Sequence, residues 1–465
     1  MPLINSPEIA TIPKQTAGAR LAEGFRRLLE RLEIDRTVVL VLLTRSWQAL
    51  AGLVSLLLIA RYFSPEVQGF YYTFASLLAL QSFVELGFYL VIINVASHEW
   101  AHLRLDSADR IAGNSDALSR LVGLGRFIFK WYAAASILFI IGAGIAGHVF
   151  FSQAAYSGIR WQAPWWSVVV LSGVVLWSLP LNSLLEGCNQ IASINRFRLI
   201  QAMLSSAALW LTIMLDGGLW ATVALAATNV LCACYLLLVR YRRFFEPFFK
   251  PVVGACIDWK TEIWPMQWRL AIQGLVNYFM YWLFTPVLFH YHGAVVAGQM
   301  GMTLQIISVL QGVALAWITT KVPSFGILIA KRDYVALDRF WLRSSLISLI
   351  VVCAGGVVIW FLVYGLNFMQ IPLAQRLLAP VPTGLLLLAT ILSQVIQCQA
   401  AYLRAHKKEP LVVTGVVSGA STGLLVWLLG RSYGATGAAA AYLLVLSVLS
   451  SPWGSIILLR CRTAW

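Results

Sequence analysis

Two arginines, Arg45 and Arg269, lie inside otherwise apolar stretches of the chain. Each follows a basic residue by nine positions, Arg36 in the first case and Lys260 in the second. Because a charge at the centre of a bilayer costs at least about 2.5 kcal/mol, such a residue faces a protein interior or a water-filled cavity. A guanidinium group can bind phosphate through two parallel hydrogen bonds. The two arginines therefore indicate an anion-binding site.

Polar residues continue from each arginine along one face of a predicted helix. At a rise of about 1.5 Å per residue, both arginines lie about 13 Å from their basic neighbours, so they mark matching depths. The spacings of three and four residues place each set on a single helical face. The first set is Arg45, Gln48, Gly52 and Ser55, and the second is Arg269, Gln273, Asn277 and Tyr281.

We interpret these stripes as walls of a central, net-positive cavity. The residues predicted to contact a bound molecule are Arg45, Gln48, Arg269, Gln273, Asn277 and Gln305. Secondary candidates are Gln81, Lys130, Tyr281, Gln394 and Gln397. Glu85 leaves a structural alternative open, in which it forms an ion pair with Arg45 that joins the first two spans.

The composition identifies the environment of these residues. Of the 465 residues, 60% are hydrophobic and 11% are charged, and the mean hydropathy is +0.78. A single soluble core stops growing near about 300 residues, so a soluble protein could not bury this much apolar surface. Twelve apolar stretches reach the roughly 18 residues that a spanning helix needs. We predict an all-α, polytopic membrane protein with about 12 transmembrane helices.

The basic residues indicate how the chain is oriented. Of the 34 Lys and Arg residues, 28 fall on one side of the predicted spans, four fall on the other side and two lie within spans. Because short basic loops resist translocation, both termini are predicted to be cytoplasmic. The net charge of +15 follows the membrane side rather than a single patch, so we predict no nucleic-acid partner.

The predicted spans fall into two groups of six. A cytoplasmic amphipathic segment (1–37) precedes an N-terminal lobe that holds spans one to six (38–239). A cytoplasmic linker (240–263) leads to a C-terminal lobe that holds spans seven to twelve (264–465). Two six-helix lobes of this kind are expected to enclose a cavity between them near the membrane midplane.

His98, Glu99 and His102 form an HExxH sequence, which in zinc peptidases supplies two metal ligands and a base. The downstream acid Glu186 lacks the acidic partner of such enzymes, and the predicted position of the motif is an ordinary helix end. The predicted external loops are also too short for an outer catalytic domain. We therefore predict a protein that is not an enzyme and holds no metal or cofactor, with a zinc peptidase as the minor alternative.

The stretch IARYFSPEVQGFYYTFASLLALQSFVELGF (59–88) resembles the opening signature of bacterial polysaccharide flippases. The matching features are an Ala-Arg pair, a Pro-Glu turn, a glycine, a tyrosine-rich helix start and an acidic-Leu-Gly sequence. Arg61, Pro65, Glu66, Gly69 and Glu85-Leu86-Gly87 fill these places. The stretches 184–204 and 401–410 support the resemblance. This family belongs to the multidrug, oligosaccharidyl-lipid and polysaccharide exporter (MOP) superfamily.

The resemblance implies two six-helix lobes around a cavity that opens alternately to each side. It implies transport of a polyprenyl-pyrophosphate-linked oligosaccharide, such as an O-antigen unit for lipopolysaccharide, across the bacterial inner membrane. Arginines would then stabilise the pyrophosphate while the lipid tail stays in the bilayer. Glu85 becomes a candidate for coupling to a proton or sodium ion. The implied partners are membrane lipids and the polysaccharide polymerase and assembly proteins.

A multidrug exporter of the same superfamily is the main alternative. Such a protein would share the fold but carry cations, for which an acid-rich cavity is favourable. Here the predicted cavity holds Arg45 and Arg269 against the single acid Glu85. The charge balance therefore favours an anionic substrate.

Overall fold

The structure is a computed structural model that describes residues 36–106, 109–153, 158–249, 264–406 and 410–463. The predicted amphipathic segment 1–37 lies almost entirely outside these ranges, and so do residues 250–263 of the predicted linker. Within the described ranges nearly all regular structure is helical, which confirms the predicted all-α class.

Residues 36–249 form the first half of the fold. Its helices are α1 (Arg36–Tyr62), α2 (Pro65–Leu78), α3 (Ser82–Glu85), α4 (Phe88–Trp100), α5 (Ser115–Ser152), α6 (Gln162–Gly187), α7 (Ile191–Met214), α8 (Trp220–Tyr235) and α9 (Arg242–Phe245). A short antiparallel hairpin, β1 (Leu103–Leu105) and β2 (Ile111–Gly113), connects α4 to α5.

Residues 264–463 form the second half. Its helices are α10 (Trp264–Tyr281), α11 (Phe284–His292), α12 (Ala294–Thr319), α13 (Val322–Ala330), α14 (Tyr334–Phe368), α15 (Pro380–Ala405), α16 (Val412–Leu444) and α17 (Ser451–Thr463). A 3₁₀ turn, Pro372–Arg376, lies between α14 and α15.

Local sequence explains where several helices begin and bend. Ser64 caps α2 by accepting a hydrogen bond from the Val67 amide, and Pro65 occupies the first turn, where its missing N–H costs nothing. Leu86 and Gly87 both adopt left-handed backbone angles, with φ of 53° and 69°. This turn bends the segment Pro65–Glu85 by 44° from Phe88–Trp100. The bend places Glu85 at a helix break.

Within the described ranges, nine helical segments are long and apolar enough to cross a membrane, and the bent segment makes a tenth. One of the nine, Val412–Thr463, has 52 residues, about 78 Å of helix against a hydrocarbon core of about 30 Å. Gly434 interrupts it with φ 61° and ψ −144°. The Ser450 hydroxyl lies 2.7 Å from that of Ser418, and the midpoint of these two positions is residue 434. The segment is therefore an antiparallel hairpin of two spans.

With that hairpin counted as two, the described ranges hold 11 of the 12 predicted spans. The remaining one, the predicted seventh, corresponds to α10 and α11, which follow each other after a break of two residues and are not among these apolar segments.

Several helices extend beyond the apolar stretches that predict them. The apolar stretch of the fifth predicted span begins near residue 198, whereas α7 begins at Ile191. The apolar stretch excludes residues 191–197 because they include the polar Asn195 and Arg196, but these residues form the first turns of α7. The seven additional residues bring Asn195 into the helix and place Arg198 within the helix rather than at its first residue.

Each half packs largely on itself, and the halves meet most extensively along α2 and α12. We call the membrane side that holds most of the basic loops the basic face, and the other side the opposite face. Near the opposite face, Phe289 of α11 packs edge-on against Phe70 of α2 and Phe151 of α5, with ring centroids 5.0 and 5.4 Å apart. The two halves are thus in close aromatic contact at the opposite face.

Candidate substrate cavity

The cavity forms beside two helices that run in the same direction, α1 and α7. The Trp210 indole donates a 2.9 Å hydrogen bond to the Ser55 hydroxyl, which fixes their register. Arg45 lies ten residues before Ser55, and Arg198 lies twelve residues before Trp210. At the helical rise these offsets are about 15 and 18 Å, so the two arginines lie at similar depth.

A cavity of about 710 Å³ opens between these helices. Its wall includes the polar residues Thr44, Arg45, Gln48, Ser55, Tyr71, Tyr89, Asn195, Arg198, Gln201, Ser205, Asn229 and Gln305. These lining residues include two arginines and no aspartate or glutamate. The wall is therefore suited to an anionic group with hydrogen-bonding substituents.

Arg198 is held in place by two side chains. Its guanidinium forms an ion pair with Glu186 at the end of α6 and donates a 3.1 Å hydrogen bond to the Tyr89 hydroxyl. The Tyr89 hydroxyl in turn donates to the other carboxylate oxygen of Glu186. The Glu186 side chain is 12% exposed, whereas that of Arg198 is 34% exposed. The Glu186 carboxylate, which lies outside the cavity lining, thus partly neutralises the arginine, while the guanidinium remains accessible from the cavity.

Among the described residues, Arg45 differs from Arg198 in having no counter-ion. Its side chain is exposed in the cavity wall, and no ion pair of the described residues includes it. With two arginines and the one carboxylate behind Arg198, the net charge at the wall is +1. Arg45 therefore supplies the uncompensated positive charge.

An amide and hydroxyl cluster extends the wall away from the arginines. The Asn229 side-chain oxygen accepts hydrogen bonds from the Gln201 amide at 3.0 Å and from the Ser205 hydroxyl at 2.8 Å. Gln201 and Ser205 follow Arg198 on the same face of α7. Such groups can exchange their mutual hydrogen bonds for those of sugar hydroxyls.

The residues predicted to line one cavity do not all lie in the same pocket of the structure. Arg45, Gln48 and Gln305 line the cavity together. Arg269 and Gln273 lie on α10, but their side chains fall outside the described part of the structure. The expected meeting of Arg45 and Arg269 in one cavity thus stays a prediction.

Asn277, Tyr281 and Gln397 line a different pocket, of about 170 Å³, within the second half. This differs from the predicted single cavity because α10 packs most extensively on α16 of its own half. A helical stripe shows which residues share a face, but not which neighbour that face meets. Gln394 is buried and donates a 2.7 Å hydrogen bond to the Ser348 hydroxyl.

Three other candidates line neither pocket. The described residues hold no Arg45–Glu85 ion pair. Glu85 lies at the end of α3, a short helix that packs on α5. Gln81 is half-buried in a 3₁₀ turn, and Lys130 is exposed. The Arg45–Glu85 alternative is therefore not what the described structure contains.

The HExxH sequence lies where α4 ends at the basic face. The Glu99 carboxylate accepts a 2.8 Å hydrogen bond from the Arg120 guanidinium. No group of three or more His, Cys, Asp or Glu side chains positioned to hold a metal occurs among the described residues. The ion pair gives Glu99 a structural role between α4 and α5.

Sequence reasoning missed Arg198, because this residue stands at the very start of the predicted fifth span and counts with Arg196 as a basic residue of the preceding connection. A signal was nevertheless present in the spacing. Asn195, Arg198, Gln201 and Ser205 recur at intervals of three, three and four residues, the same pattern that identified the stripe on α1. The polar stripe on α7 therefore begins in the basic connection and continues into the span.

No protein-family model matches the chain, and no curated protein matches it. Several solved structures, however, are similar to the chain in fold. An inward-facing MATE multidrug resistance transporter of the MOP superfamily is 12% identical with a TM-score of 0.63, over 90% of this chain and 96% of its own. The lipid II flippase MurJ in an inward closed conformation is also 12% identical, with a TM-score of 0.64 over 90% of this chain and 87% of its own.

A third similar structure is a MOP superfamily transporter from Pyrococcus furiosus, for which a reverse polarity of the binding pocket suggests a different function. It is 12% identical with a TM-score of 0.53, over 91% of this chain and 94% of its own. At these identities the likeness concerns the fold alone. The chain thus has the fold of MOP-superfamily transporters and is a multi-pass membrane protein.

Proposed function

We propose that this protein flips a polyprenyl-pyrophosphate-linked oligosaccharide across a bacterial inner membrane during synthesis of a surface polysaccharide. The basic face is the cytoplasmic face in this proposal, so both termini are cytoplasmic. A polysaccharide polymerase and its assembly proteins would use the flipped product. The proposed activity is transport by alternating access rather than catalysis.

The observation that carries the proposal is the presence of Arg45 and Arg198 in one cavity within an apolar bundle. A pyrophosphate group must leave water to cross the bilayer, and two guanidinium groups at similar depth can replace its hydration. The unpaired charge of Arg45 attracts the anion. Arg198 is already oriented by Glu186 and Tyr89, so binding costs it little side-chain entropy.

The rest of the cavity supports an amphipathic substrate. Gln48, Gln201 and Asn229 can hydrogen-bond sugar hydroxyls beyond the pyrophosphate. On the outer side of α1, Leu53 and Leu57 are 46% and 60% exposed, so an apolar surface for a lipid tail lies beside the cavity. Arg269 and Gln273 on α10 belong to the proposed site as contributions from the second half.

Export of cationic drugs is the alternative that the shared fold supports. A cation would need an available carboxylate in the wall, and Glu186 is already paired with Arg198. The charge of the cavity therefore favours the flippase. The charge of the molecule that binds distinguishes the two functions experimentally, because a flippase binds the anion and a drug exporter binds the cation.

Equilibrium binding to the purified full chain in nanodiscs tests the proposal. The probes are geranylgeranyl pyrophosphate, the neutral geranylgeraniol and the cation tetraphenylphosphonium. We expect Arg45→Gln and Arg198→Gln each to weaken pyrophosphate binding by about tenfold or more, because each removes hydrogen bonds to a charged group. Arg61→Gln is the matched control, since Arg61 lies at the other end of α1 and its guanidinium rests 5.9 Å from the Tyr62 ring.

Two results would overturn the proposal. Equal affinity for the pyrophosphate and the alcohol would show that the phosphate is not recognised. Tighter binding of tetraphenylphosphonium than of the pyrophosphate would favour the exporter. A flipping assay in proteoliposomes uses a fluorescent polyprenyl-pyrophosphate sugar. We expect the flipping rates to rank the variants in the same order as their affinities for the pyrophosphate.

A further inference from the structure

The two halves of the protein approach each other most closely where α2 meets α12. A Cβ atom added at Gly69 would lie 1.9 Å from the Ala294 carbonyl oxygen, so only glycine allows this approach. Gly298 lies one turn further along α12 and packs against Gly69 as well. We call this contact the α2–α12 seam. It lies between the cavity and the opposite face.

One charged side chain bridges the seam at its outer end. Arg376, in the 3₁₀ turn between α14 and α15, donates a 2.5 Å hydrogen bond to the Phe63 carbonyl and a weaker one, at 3.4 Å, to the Gln68 side-chain oxygen. Phe63 follows the last residue of α1, where helix carbonyls lack partners within the helix and carry partial negative charge. Arg376 thus caps a helix of the other half.

Gln68 of the first half also donates hydrogen bonds to the second half. Its amide donates 3.0 Å hydrogen bonds to the Arg376 carbonyl and to the Gly298 carbonyl. Gln68 is 1% exposed, so breaking these bonds without opening the seam would leave a buried amide unsatisfied. The two side chains therefore form one reciprocal link between the halves.

The electrostatics make this link reversible. Partial burial lowers the pKa of Arg376, while the nearby carboxylate of Glu66 raises it. Arg376 remains charged, as guanidinium groups do in proteins. A charge that is partly removed from water is well compensated only while its acceptors are in place. When the halves separate, the guanidinium regains hydration, and the loss of the hydrogen bonds is partly offset.

We propose that Arg376 is the outer latch of the transport cycle, whose release from Phe63 and Gln68 precedes opening of the cavity to the opposite face. The latch rests on alternating access, as in the proposed function, but not on binding of an anion. Removal of the latch shifts the resting equilibrium towards the state that is open to the opposite face.

The test measures how fast a cysteine buried in the seam becomes accessible. Met302 is fully buried, and its sulfur lies 3.8 Å from the Gln68 amide nitrogen. A Met302→Cys chain in proteoliposomes is treated with a membrane-impermeant maleimide, and modification of that peptide is followed by mass spectrometry. We expect Arg376→Gln to raise the rate by about tenfold, the effect of losing one hydrogen bond to a charged group.

Arg431→Gln in the same Met302→Cys background is the matched control. Arg431 lies at the same face of the same half, and its guanidinium rests 5.4 Å from the Tyr291 ring, within that half. We expect the control to leave the labelling rate unchanged. Equal rates in the Arg376 and Arg431 variants would overturn the latch.

A second variant covers the case in which Arg376→Gln fails to fold. Gln68→Met removes the first half's side-chain part of the link and keeps a similar volume, and it should raise the labelling rate in the same direction. No increase in a folded Gln68→Met protein would likewise overturn the proposal. The two proposals can fail separately. If the Arg376 and Gln68 variants label faster as expected but the protein does not bind the pyrophosphate, only the anion site is rejected.

Discussion

The Tyr72 hydroxyl donates a 2.7 Å hydrogen bond to the side-chain oxygen of Gln305, across the boundary between the two halves of the protein. The Gln305 amide also lies 3.4 Å from the Gly52 carbonyl of α1. Gln305 is at the same time a wall residue of the cavity. One amide is therefore both a potential substrate contact and the inner end of the α2–α12 seam. A bound molecule that competes for this amide would loosen the seam.

The first prediction concerns this hydrogen bond. Tyr72→Phe removes only the hydroxyl and leaves the Gln305 oxygen without that donor, which costs about 1 kcal/mol for a net hydrogen bond. We expect labelling of Met302→Cys to become about fivefold faster. Tyr71→Phe is the control, because Tyr71 is adjacent, lines the cavity and has no hydrogen bond through its hydroxyl in the described structure. Faster labelling in both variants would argue against a specific role for Tyr72.

The second prediction tests the close approach at the seam. Gly69→Ala places a methyl group against the Ala294 backbone, so the seam must widen. We expect faster Met302→Cys labelling and a loss of about 1–3 kcal/mol in stability, as for other overpacked sites. Gly142→Ala on α5 is the control, because a Cβ there meets nothing within 4 Å. Thermal unfolding of both variants in detergent gives the comparison, and equal midpoints would contradict the predicted clash.

The sequence predicted the helical class, the polar stripe on α1 and the cavity position of Gln305. These features depend on the local periodicity of the sequence and on the free-energy cost of exposing polar residues to a bilayer. It did not predict which cavity Asn277 would join, since that depends on the packing of α10 against α16. Arg198 was missed for a different reason. The charge of the preceding connection concealed the helical spacing that places this residue beside Arg45.

The link between Arg376 and Phe63 could not be predicted either. The two residues are 313 positions apart, and the acceptor is a backbone carbonyl that carries no sequence signature. The same applies to Gln68, whose partners are largely backbone atoms of the other half. Contacts of this kind follow from the assembled fold, so they appear only when the two halves are seen together.

The third prediction concerns the HExxH sequence. Glu99 pairs with Arg120, so we expect Glu99→Gln to lower stability by about 1–3 kcal/mol, the cost of leaving a charged partner unsatisfied. The chelator EDTA should leave flipping of the fluorescent substrate unchanged, and elemental analysis of the pure protein should find no stoichiometric zinc. A bound zinc ion that is lost in Glu99→Gln together with activity would reverse this interpretation.

The fourth prediction separates the two roles open to Glu186, which are to neutralise Arg198 and to orient it. Glu186→Gln keeps a hydrogen-bonding oxygen for Tyr89 but removes the negative charge, so the wall charge rises from +1 to +2. If neutralisation dominates, geranylgeranyl pyrophosphate should bind about fivefold more tightly, roughly 1 kcal/mol for an added unit charge near water, and high salt should weaken the gain. Glu99→Gln is a matched control, since both glutamate side chains are 12% exposed and paired with arginine, but only Arg198 lines the cavity. Binding that weakens in Glu186→Gln, and not in Glu99→Gln, would contradict the prediction and identify Glu186 as the residue that positions Arg198.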